Sequence, residues 1–440
     1  METVLIGGTL IDGTGRDPVL NAGLVMEGPM IRQVGASDRL VFGANARILD
    51  LEGRTIMPGL IDCHTHLTYH ASQPGAWQLD FAESLELNTI KATLNARAIL
   101  EMGFTTIGDG GCRGYLGPAI RDAIAQRLIP GPRVVAAGPI LCGSAGLLDT
   151  APAWTRLDSD APLGMVVDGP DQVRLAVRQQ VKGGVDWIKV AASGVAGSRF
   201  STAETDDLGE EEIRAAVREA AKFGKRVHSH AHSRSGVRAS VRAGVLSLHS
   251  GEFAGEEELC LMREHGVILS PTIAWLHARC LPGSSPAQDA AFLSQARRAY
   301  ETAKVATVRA RELGVKVAVG TDGAHRFHHV PDGVLEMEYL QALGYPPLEI
   351  ITAATRSAAE AIDRGALVGT LEPGKLADIL VVEGDPARDV RVLRDKRHIV
   401  RMFTDGQELT LALDRTAVGT GFSVAEWLGE PARRPSPLPR

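Results

Sequence analysis

The stretch PGLIDCHTHL, residues 58–67, places two histidines one residue apart directly after a run of apolar residues. Side chains alternate between the two faces of a β-strand, so residues i and i+2 point the same way. His64 and His66 are therefore expected to face one side together. A lone histidine at a strand end is more often packed or hydrogen-bonded than a metal ligand, whereas an HxH pair favours a metal site. Residues elsewhere in the chain are needed to distinguish a packed histidine pair from a metal site.

Repeated strand–helix units follow over residues 58–366. Apolar strands such as FTTIGDGG (104–111) and VDWIKVAASG (185–194) alternate with helical segments such as EEEIRAAVREAAKFG (210–224). Such alternation favours a parallel sheet with helical crossovers. Seven or eight units within about 300 residues predict an α/β fold, with a (β/α)8 TIM barrel as the metal-binding catalytic domain.

The two ends of the chain contain short strands and turns without a helical period. They span residues 1–57 and 367–405, where β-branched residues alternate with Gly and Asp turn signals. We predict one small β-sandwich domain built from residues 1–57 together with 367–425, with two separate small sheets as the alternative. The Pro- and Arg-rich segment 426–440 is predicted to be a flexible tail.

The predicted strands of the middle segment end in side chains suited to metal chemistry. These residues are His64, His66, Lys189, His230, His249 and Asp322. The C-terminal ends of all strands in a (β/α)8 barrel meet on one face, so residues far apart in sequence converge there. Imidazole and carboxylate are ligands that zinc and similar divalent ions prefer. The sequence therefore predicts a metal centre on this face.

Composition limits the classes of partner. The net charge of −6 shows no excess of the basic residues that bind nucleic acid. The apolar runs fall short of the roughly 18 residues that a membrane span needs, and the first residues do not resemble a signal peptide. Five cysteines without CxxC spacing fit a reduced, cytoplasmic protein. We expect a small-molecule substrate, no nucleic acid or membrane partner, and a homo-oligomer.

Together, these motifs resemble the amidohydrolase superfamily over nearly the whole chain. The resemblance rests on PGLIDCHTHL, on the strand-end lysine and histidines, on GTDG (320–323) and on LVGTLEPGKLADILVV (367–382). The last motif has the pattern G-x-L-x-x-G-K-x-A-D, which looks like the return of the chain into the small β domain. The branch that it resembles most is the imidazolonepropionase-like group, which includes Xaa-Pro dipeptidase-like enzymes.

The resemblance implies two divalent metal ions, with zinc as the expected metal and cobalt or manganese as alternatives. His64 and His66 would bind the more buried ion together with Asp322. His230 and His249 would bind the second ion. A mononuclear site is the alternative.

Lys189 would be N-carboxylated by CO2 and would bridge the two ions. An unmodified ammonium has no acceptor lone pair and repels a divalent cation, whereas a carbamate is anionic and offers two oxygens. The presence of this lysine argues against the mononuclear alternative.

The strand VHSHAHS, residues 227–233, offers three histidines on one face. His230 matches the ligand position of the family. His232, the next inward residue, would lie on the substrate side and take part in catalysis, and His228 is expected to be a core histidine.

Further substrate-binding residues are expected in loops. The segment TDGAHRFHHVP, residues 321–331, places His325 and His328 just after Asp322, and a solvated loop is an equally weighted alternative. Loop aromatics that could form apolar walls are Trp77, Trp154, Trp275 and Phe327.

The implied reaction is hydrolysis of a C–N bond in an amide, peptide-like, urea or carbamate substrate. A hydroxide bridging the metals would attack, and Asp322 would act as the acid/base. Dipeptidase-like members hold the substrate's carboxylate with a tyrosine and a histidine, where this sequence has His232 and Ala145. This difference favours a neutral or aromatic small molecule.

Other functions on the same scaffold stay open at this point, because one fold hosts many reactions. They are an Xaa-Pro or Xaa-Arg dipeptidase or carboxypeptidase, and an esterase or lactonase. A deaminase is disfavoured because HAHS, residues 230–233, lacks the expected glutamate. A non-catalytic member is disfavoured because every ligand position is filled.

Overall fold

A computed structural model describes residues 2–68, 84–149, 151–154, 159–281, 290–323 and 333–409. The segments predicted as the end of the β domain (410–425) and as the tail (426–440) lie outside the described residues. Strands occur at both ends and at the start of each strand–helix unit. In chain order they are β1 Glu2–Leu10, β2 Val19–Glu27, β3 Met30–Ala36, β4 Arg47–Asp50, β5 Thr55–Pro58, β6 Leu60–Thr65, β7 Phe104–Asp109, β8 Arg133–Ala136, β9 Ile140–Cys142, β10 Gly164–Val166, β11 Ile188–Ala191, β12 Val227–Ala231, β13 Ser247–Ser250, β14 Ile268–Ser270, β15 Ile379–Val382, β16 Ile399–Thr404 and β17 Gln407–Glu408.

Helices follow the strands of the middle segment. They are α1 Leu85–Glu101, α2 Leu116–Ala125, α3 Pro170–Lys182, α4 Glu210–Ala221, α5 Arg234–Ala243, α6 Glu256–His265, α7 Ile273–Cys280, α8 Ala290–Leu313, α9 Gly333–Ala342, α10 Pro347–Thr352 and α11 Ala358–Ala361. A π-helical turn joins the last two (Ala353–Ser357), and short 3-10 turns lie at Ser37–Arg39, Val390–Arg394 and Lys396–His398. Within the described ranges, none of the helices is long and apolar enough to cross a membrane.

Strands from both ends of the chain form one mixed, eight-stranded sheet. Its order is β17-β16-β15-β5-β1-β2-β3, with β4 beside β1. β15 runs antiparallel to β5, with Ile379 opposite Pro58. Leu24, Ile56 and Phe403 are buried in the core of this sheet. The described strands of both termini therefore join in one sheet, and their pairing does not confirm the two stacked sheets of a sandwich.

The middle segment forms two parallel sheets, β6-β7-β8 and β10-β9-β11-β12-β13-β14. Single backbone hydrogen bonds extend from the three-stranded sheet on both sides. Asp186 N, just before β11, donates to Ala136 O in β8 at 2.7 Å, and Cys63 N in β6 donates to Val319 O, outside both sheets, at 2.9 Å. The α/β class is as predicted, whereas continuous pairing into one closed TIM barrel is not found among the described residues.

The segment predicted to be the last strand of the barrel, residues 315–322, is not a regular strand. One isolated parallel bridge, between Leu269 and Val317, joins it to β14. Asp322 has a φ of 49°, in the left-handed region. A left-handed residue ends an extended segment, so regular pairing stops before Asp322. In the same turn the backbone N–H of Asp322 donates to the carbonyl oxygen of His64, with 2.7 Å between nitrogen and oxygen.

The crossover helix α5 shows how the sequence sets two histidine-bearing strands side by side. Ser233 begins the helix by accepting a hydrogen bond from a backbone N–H of the first turn, and Gly244 ends it at a φ of 94°. Val237 and Val241, four residues apart, bury one face of the helix. This crossover lets β12 and β13 pair in parallel.

Candidate metal centre

Three buried side chains from opposite ends of the middle segment meet at one point. His64 lies in β6, His66 follows the end of that strand, and Asp322 ends the irregular segment 315–322. Their donor atoms all lie within 4.8 Å of one another. Asp322 Oδ1 is 3.0 Å from His66 Nε2 and 3.7 Å from His64 Nε2. Two imidazole nitrogens and one carboxylate oxygen in such proximity are a donor set for a divalent ion.

Hydrogen bonds fix the direction of these side chains. The Asp62 carboxylate accepts from His64 N at 3.0 Å, from Thr321 N at 3.1 Å and from Thr321 Oγ1 at 2.6 Å. Burial raises the pKa of Asp62 to about 7, against the effect of these bonds. His66 Nδ1 donates to Gly111 O at 2.8 Å, which leaves the lone pair of Nε2 facing the cluster.

The Lys189 side chain ends beside the same ligands. It is 1% exposed, and its Nζ lies 3.2 Å from His64 Nε2 and in hydrogen-bond contact with His249 Nδ1. Burial lowers the pKa of Lys189 to about 7, and the nearby Asp322 carboxylate opposes this fall. Burial therefore favours the neutral amine, which is the form that reacts with CO2.

His230 and His249 lie opposite each other on the paired strands β12 and β13. The ring of His249 is 3.9 Å from the ring of His64. His230 Nε2 is buried and has no hydrogen-bond partner among the described residues. Burial holds the pKa values of all three histidines well below their usual range, so the rings are neutral and their lone pairs are available to a cation. The donor set therefore fits resident divalent ions.

His232 contacts an acidic residue that the sequence did not single out. His232 Nδ1 donates to Glu252 at 2.5 Å, and both side chains are 1% exposed. His232 Nε2 is buried, also without a hydrogen-bond partner in the described part of the chain. Glu252 follows His249 by three residues, and only the fold shows that it faces the preceding strand.

His228 lies two residues before His230 in β12, and its side chain contacts core residues. Its Nδ1 is 2.7 Å from Ser247 Oγ, and its ring lies 3.7 Å from the ring of Trp187. These contacts agree with the interpretation of His228 as a packed histidine.

The sequence matches a known family over most of its length. Residues 55–409 match the model of the Amidohydrolase family. The chain belongs to the amidohydrolase family. This amidohydrolase is 30% identical to the ochratoxinase of Aspergillus niger over 458 aligned residues, covering 98% of this chain and 89% of the relative. It is 26% identical to the imidazolonepropionase of Chromobacterium violaceum, over 77% of this chain and 79% of the relative.

A solved structure supports the same grouping. The amidohydrolase is similar to a prolidase complexed with N-methylphosphonate-L-proline, with a TM-score of 0.84 and 27% identity over 93% of this chain and 99% of that chain. The chain is thus an enzyme that acts on carbon–nitrogen bonds, in the branch that its motifs indicated.

His232 is one of the residues that line a cavity of about 150 Å³ in the amidohydrolase. Trp275, one of the aromatic residues suggested from the sequence, lines it and is 4% exposed. Trp154 is 84% exposed. Trp77, His325, His328 and Phe327 lie outside the described residues.

Proposed function

We propose that the amidohydrolase hydrolyses the amide bond of a small molecule with an apolar or aromatic group, using two divalent metal ions, with zinc as the expected metal. The observation that carries this proposal is the buried cluster of His64, His66 and Asp322 beside Lys189. The names of the relatives, an ochratoxinase, an imidazolonepropionase and a prolidase, support a carbon–nitrogen bond as the target.

The metal ligands in this proposal come from the ends of three strands, from the segment 315–322 and from one lysine on β11, which would be carboxylated to bridge the ions. They are His64, His66, Lys189, His230, His249 and Asp322. Divalent ions bound there would lower the pKa of a water molecule and polarise the substrate's carbonyl group.

Asp322 acts as the acid and base in this proposal. Its carboxylate takes the proton of the attacking water and returns it to the leaving nitrogen. Its backbone N–H donates to the carbonyl of His64 at 2.7 Å, which holds the residue in its left-handed conformation.

His232 acts on the substrate's carbonyl oxygen. Glu252 accepts a hydrogen bond from Nδ1, which fixes the orientation of the ring and stabilises the imidazolium form. Nε2–H of that form donates to the oxygen as negative charge develops on it. Glu252 is thus a positioning residue that acts through His232.

A Glu252→Gln variant should lower kcat about 10- to 100-fold with little change in KM, because the amide retains the shape but not the charge that stabilises the imidazolium. Steady-state kinetics on a hydrolysed substrate measures both constants. Glu219→Gln is the matched control, because the Glu219 side chain is as buried as that of Glu252. It pairs with Arg178 and Lys222, which belong to the helical layer rather than to the metal-ligand strands. A rise in KM with unchanged kcat in Glu252→Gln would contradict this role.

Metal removal tests the proposed function directly. We expect about two equivalents of zinc, cobalt or manganese per chain, and a chelator should abolish hydrolysis until metal is added back. Elemental analysis gives the metal content, and a screen of N-acyl amino acids, dipeptides, phenylureas, carbamates and esters gives the activity. Full hydrolysis by metal-free protein, or cleavage of esters only, would refute the proposal.

The proposed fold of the catalytic part is a (β/α)8 barrel. Support comes from the hydrogen bond of Asp186 to Ala136, from that of Cys63 to Val319 and from the bridge between Leu269 and Val317. The small-molecule substrate and the homo-oligomeric state stay predictions.

A further inference from the structure

The paired histidines His64 and His66 are held by the protein in different ways. His66 Nδ1 donates to the carbonyl oxygen of Gly111, and this bond fixes its ring. The corresponding atom of His64 is buried and has no hydrogen-bond partner among the described residues. A metal-binding histidine ordinarily donates its second ring nitrogen to a nearby oxygen, and that bond sets the direction of the ring. The chain therefore orients the His64 ring by packing.

Gly110, directly after β7, lies against the imidazole of His64. A Cβ at position 110 would lie 2.5 Å from His64 Cδ2, 2.9 Å from His64 Nε2 and 3.4 Å from His66 Cε1. Carbon atoms in van der Waals contact are normally about 3.5–4.0 Å apart. Any residue larger than glycine at position 110 would therefore displace this ring.

The His64 ring cannot shift without changing its contacts inside the cluster. Its centre is 3.9 Å from the ring centre of His249, and its Nε2 is 3.2 Å from Lys189 Nζ. The same Nε2 lies 3.7 Å from Asp322 Oδ1. A displacement forced by a Cβ at position 110 would thus alter the donor set of the candidate metal centre.

The backbone that carries Gly110 is tied to the neighbouring segments. Gly110 N donates to the carbonyl oxygen of Thr65 at 2.7 Å. The carbonyl oxygen of Asp109 accepts from Ala137 N and from Trp187 Nε1, each at 3.0 Å. These bonds resist a movement of the backbone, so the histidine ring would have to move instead.

A second glycine, Gly320 in the segment 315–322, approaches the same histidine. A Cβ at position 320 would lie 2.9 Å from the Cβ of His64. Glycines from two neighbouring segments therefore limit both ends of this side chain. Gly320 lies at its Cβ, and Gly110 lies at the ring that would bind the metal.

We propose that Gly110 is a positioning residue that holds the imidazole of His64 in place and thereby sets the affinity of the centre for zinc. This inference rests on the proposed function, because it takes His64 as a metal ligand. Gly110 contributes no functional group of its own. It contributes the space beside the ring, which replaces the hydrogen bond that orients His66.

A Gly110→Ala variant should bind zinc about 10- to 100-fold more weakly, which is the usual loss when a group that orients a metal-binding histidine is changed. Titration of the metal-free protein with zinc, in competition with a chromophoric chelator, measures the dissociation constant. Unchanged zinc affinity in the variant would overturn the proposal.

Gly131→Ala is the matched control, because it creates a steric overlap of the same size away from the histidines. A Cβ at position 131 would lie 2.4 Å from Ile124 Cδ1 and 3.2 Å from the Cβ of Ala96. Gly131 precedes β8, whereas Gly110 follows the paired strand β7. The control should lower the melting temperature and keep the zinc affinity of the unmodified protein. An equal loss of zinc affinity in both variants would contradict the role of Gly110.

A double-mutant cycle tests whether Gly110 acts through His64. In the metal-free protein, Gly110→Ala should lower the melting temperature when His64 is present and should have little effect in a His64→Ala background. If Gly110→Ala alone does not fold, the double variant should still fold, because the missing ring leaves room for the added methyl group. An equal fall of the melting temperature in both backgrounds, or a double variant that stays unfolded, would refute the proposal.

These measurements separate the proposal from the proposed function. The melting experiments need neither metal nor substrate, so they test the contact between Gly110 and His64 even if no amide is hydrolysed. Zinc binding by the unmodified protein without hydrolysis rejects the proposed function alone. Zinc affinity and hydrolysis that both survive in Gly110→Ala reject the role of Gly110 alone.

Discussion

An Asp322→Asn variant should lose roughly 10,000-fold in kcat, since the change removes both the proton acceptor and the carboxylate that lies with His64 and His66 in the cluster. Asparagine has nearly the same shape and tolerates the left-handed backbone of this position. The loss should therefore come from chemistry and metal affinity rather than from unfolding. Steady-state kinetics at saturating metal, with thermal melting of the same samples, measures the two effects separately.

Asp363→Asn is the matched control for this variant. Asp363 also has a positive φ, 57°, but its side chain is half exposed and lies near Arg226 on the exterior. The control should retain full activity. If Asp322→Asn keeps more than about a tenth of kcat, Asp322 is not the acid and base, because general acid–base catalysis typically contributes at least 100-fold.

A Lys189→Ala variant should lose one of the two metal equivalents and about 1,000-fold in kcat. The variant removes the group that would bridge the ions and leaves a cavity next to His64 and His249. Losing several kcal/mol of stabilisation of the transition state corresponds to an effect of about this size. Elemental analysis after gel filtration and steady-state kinetics measure the two quantities.

Rescue of the Lys189→Ala activity by a small carboxylate is a second test of the proposed bridging role of Lys189. Acetate or formate can enter the cavity of the alanine variant and supply two carboxylate oxygens, so either should restore part of the activity. Lys316→Ala is the control, because Lys316 is half exposed and pairs with Glu360. Two metal equivalents and full activity in Lys189→Ala would refute the carbamate bridge.

The convergence of the proposed metal ligands could be predicted from the sequence because it depends on local rules. Alternation along β6 sets the direction of His64 and His66, and the parallel register of β12 and β13 places His230 beside His249. An apolar strand that ends in a polar residue is visible in the sequence, and the ends of neighbouring parallel strands lie together. Chain order alone therefore indicated which residues would converge.

The residues that orient the site could not be predicted in the same way. Asp62 is one position in a buried strand, and its partner Thr321 is about 260 residues away. Glu252 carries a charge that is common on protein surfaces, and only tertiary packing buries it beside His232. Contacts between distant segments leave no periodic signal in a single sequence.

Tertiary contacts also explain why residues 315–322 do not form the regular strand that the sequence predicts. The same contacts interrupt the pairing that would close the barrel. Gly320 approaches Ser270 so closely that a Cβ would lie 2.3 Å from its hydroxyl oxygen. The left-handed Asp322 then ends the segment early. Hydrophobic pattern predicts that a segment is extended, but it does not predict where a functional residue interrupts its pairing.

The pairing of β5 with β15 has a consequence for synthesis of the chain. Pro58 pairs with Ile379, about 320 residues later, and Pro58 stands two residues before β6 begins. On the ribosome, the edge of β5 therefore stays open until nearly the whole chain has emerged. A nascent chain that stops before residue 379 exposes that edge, and open strand edges promote pairing between different molecules. Ribosomes that stall late on this message would thus produce aggregation-prone fragments, even where every metal ligand has already been translated.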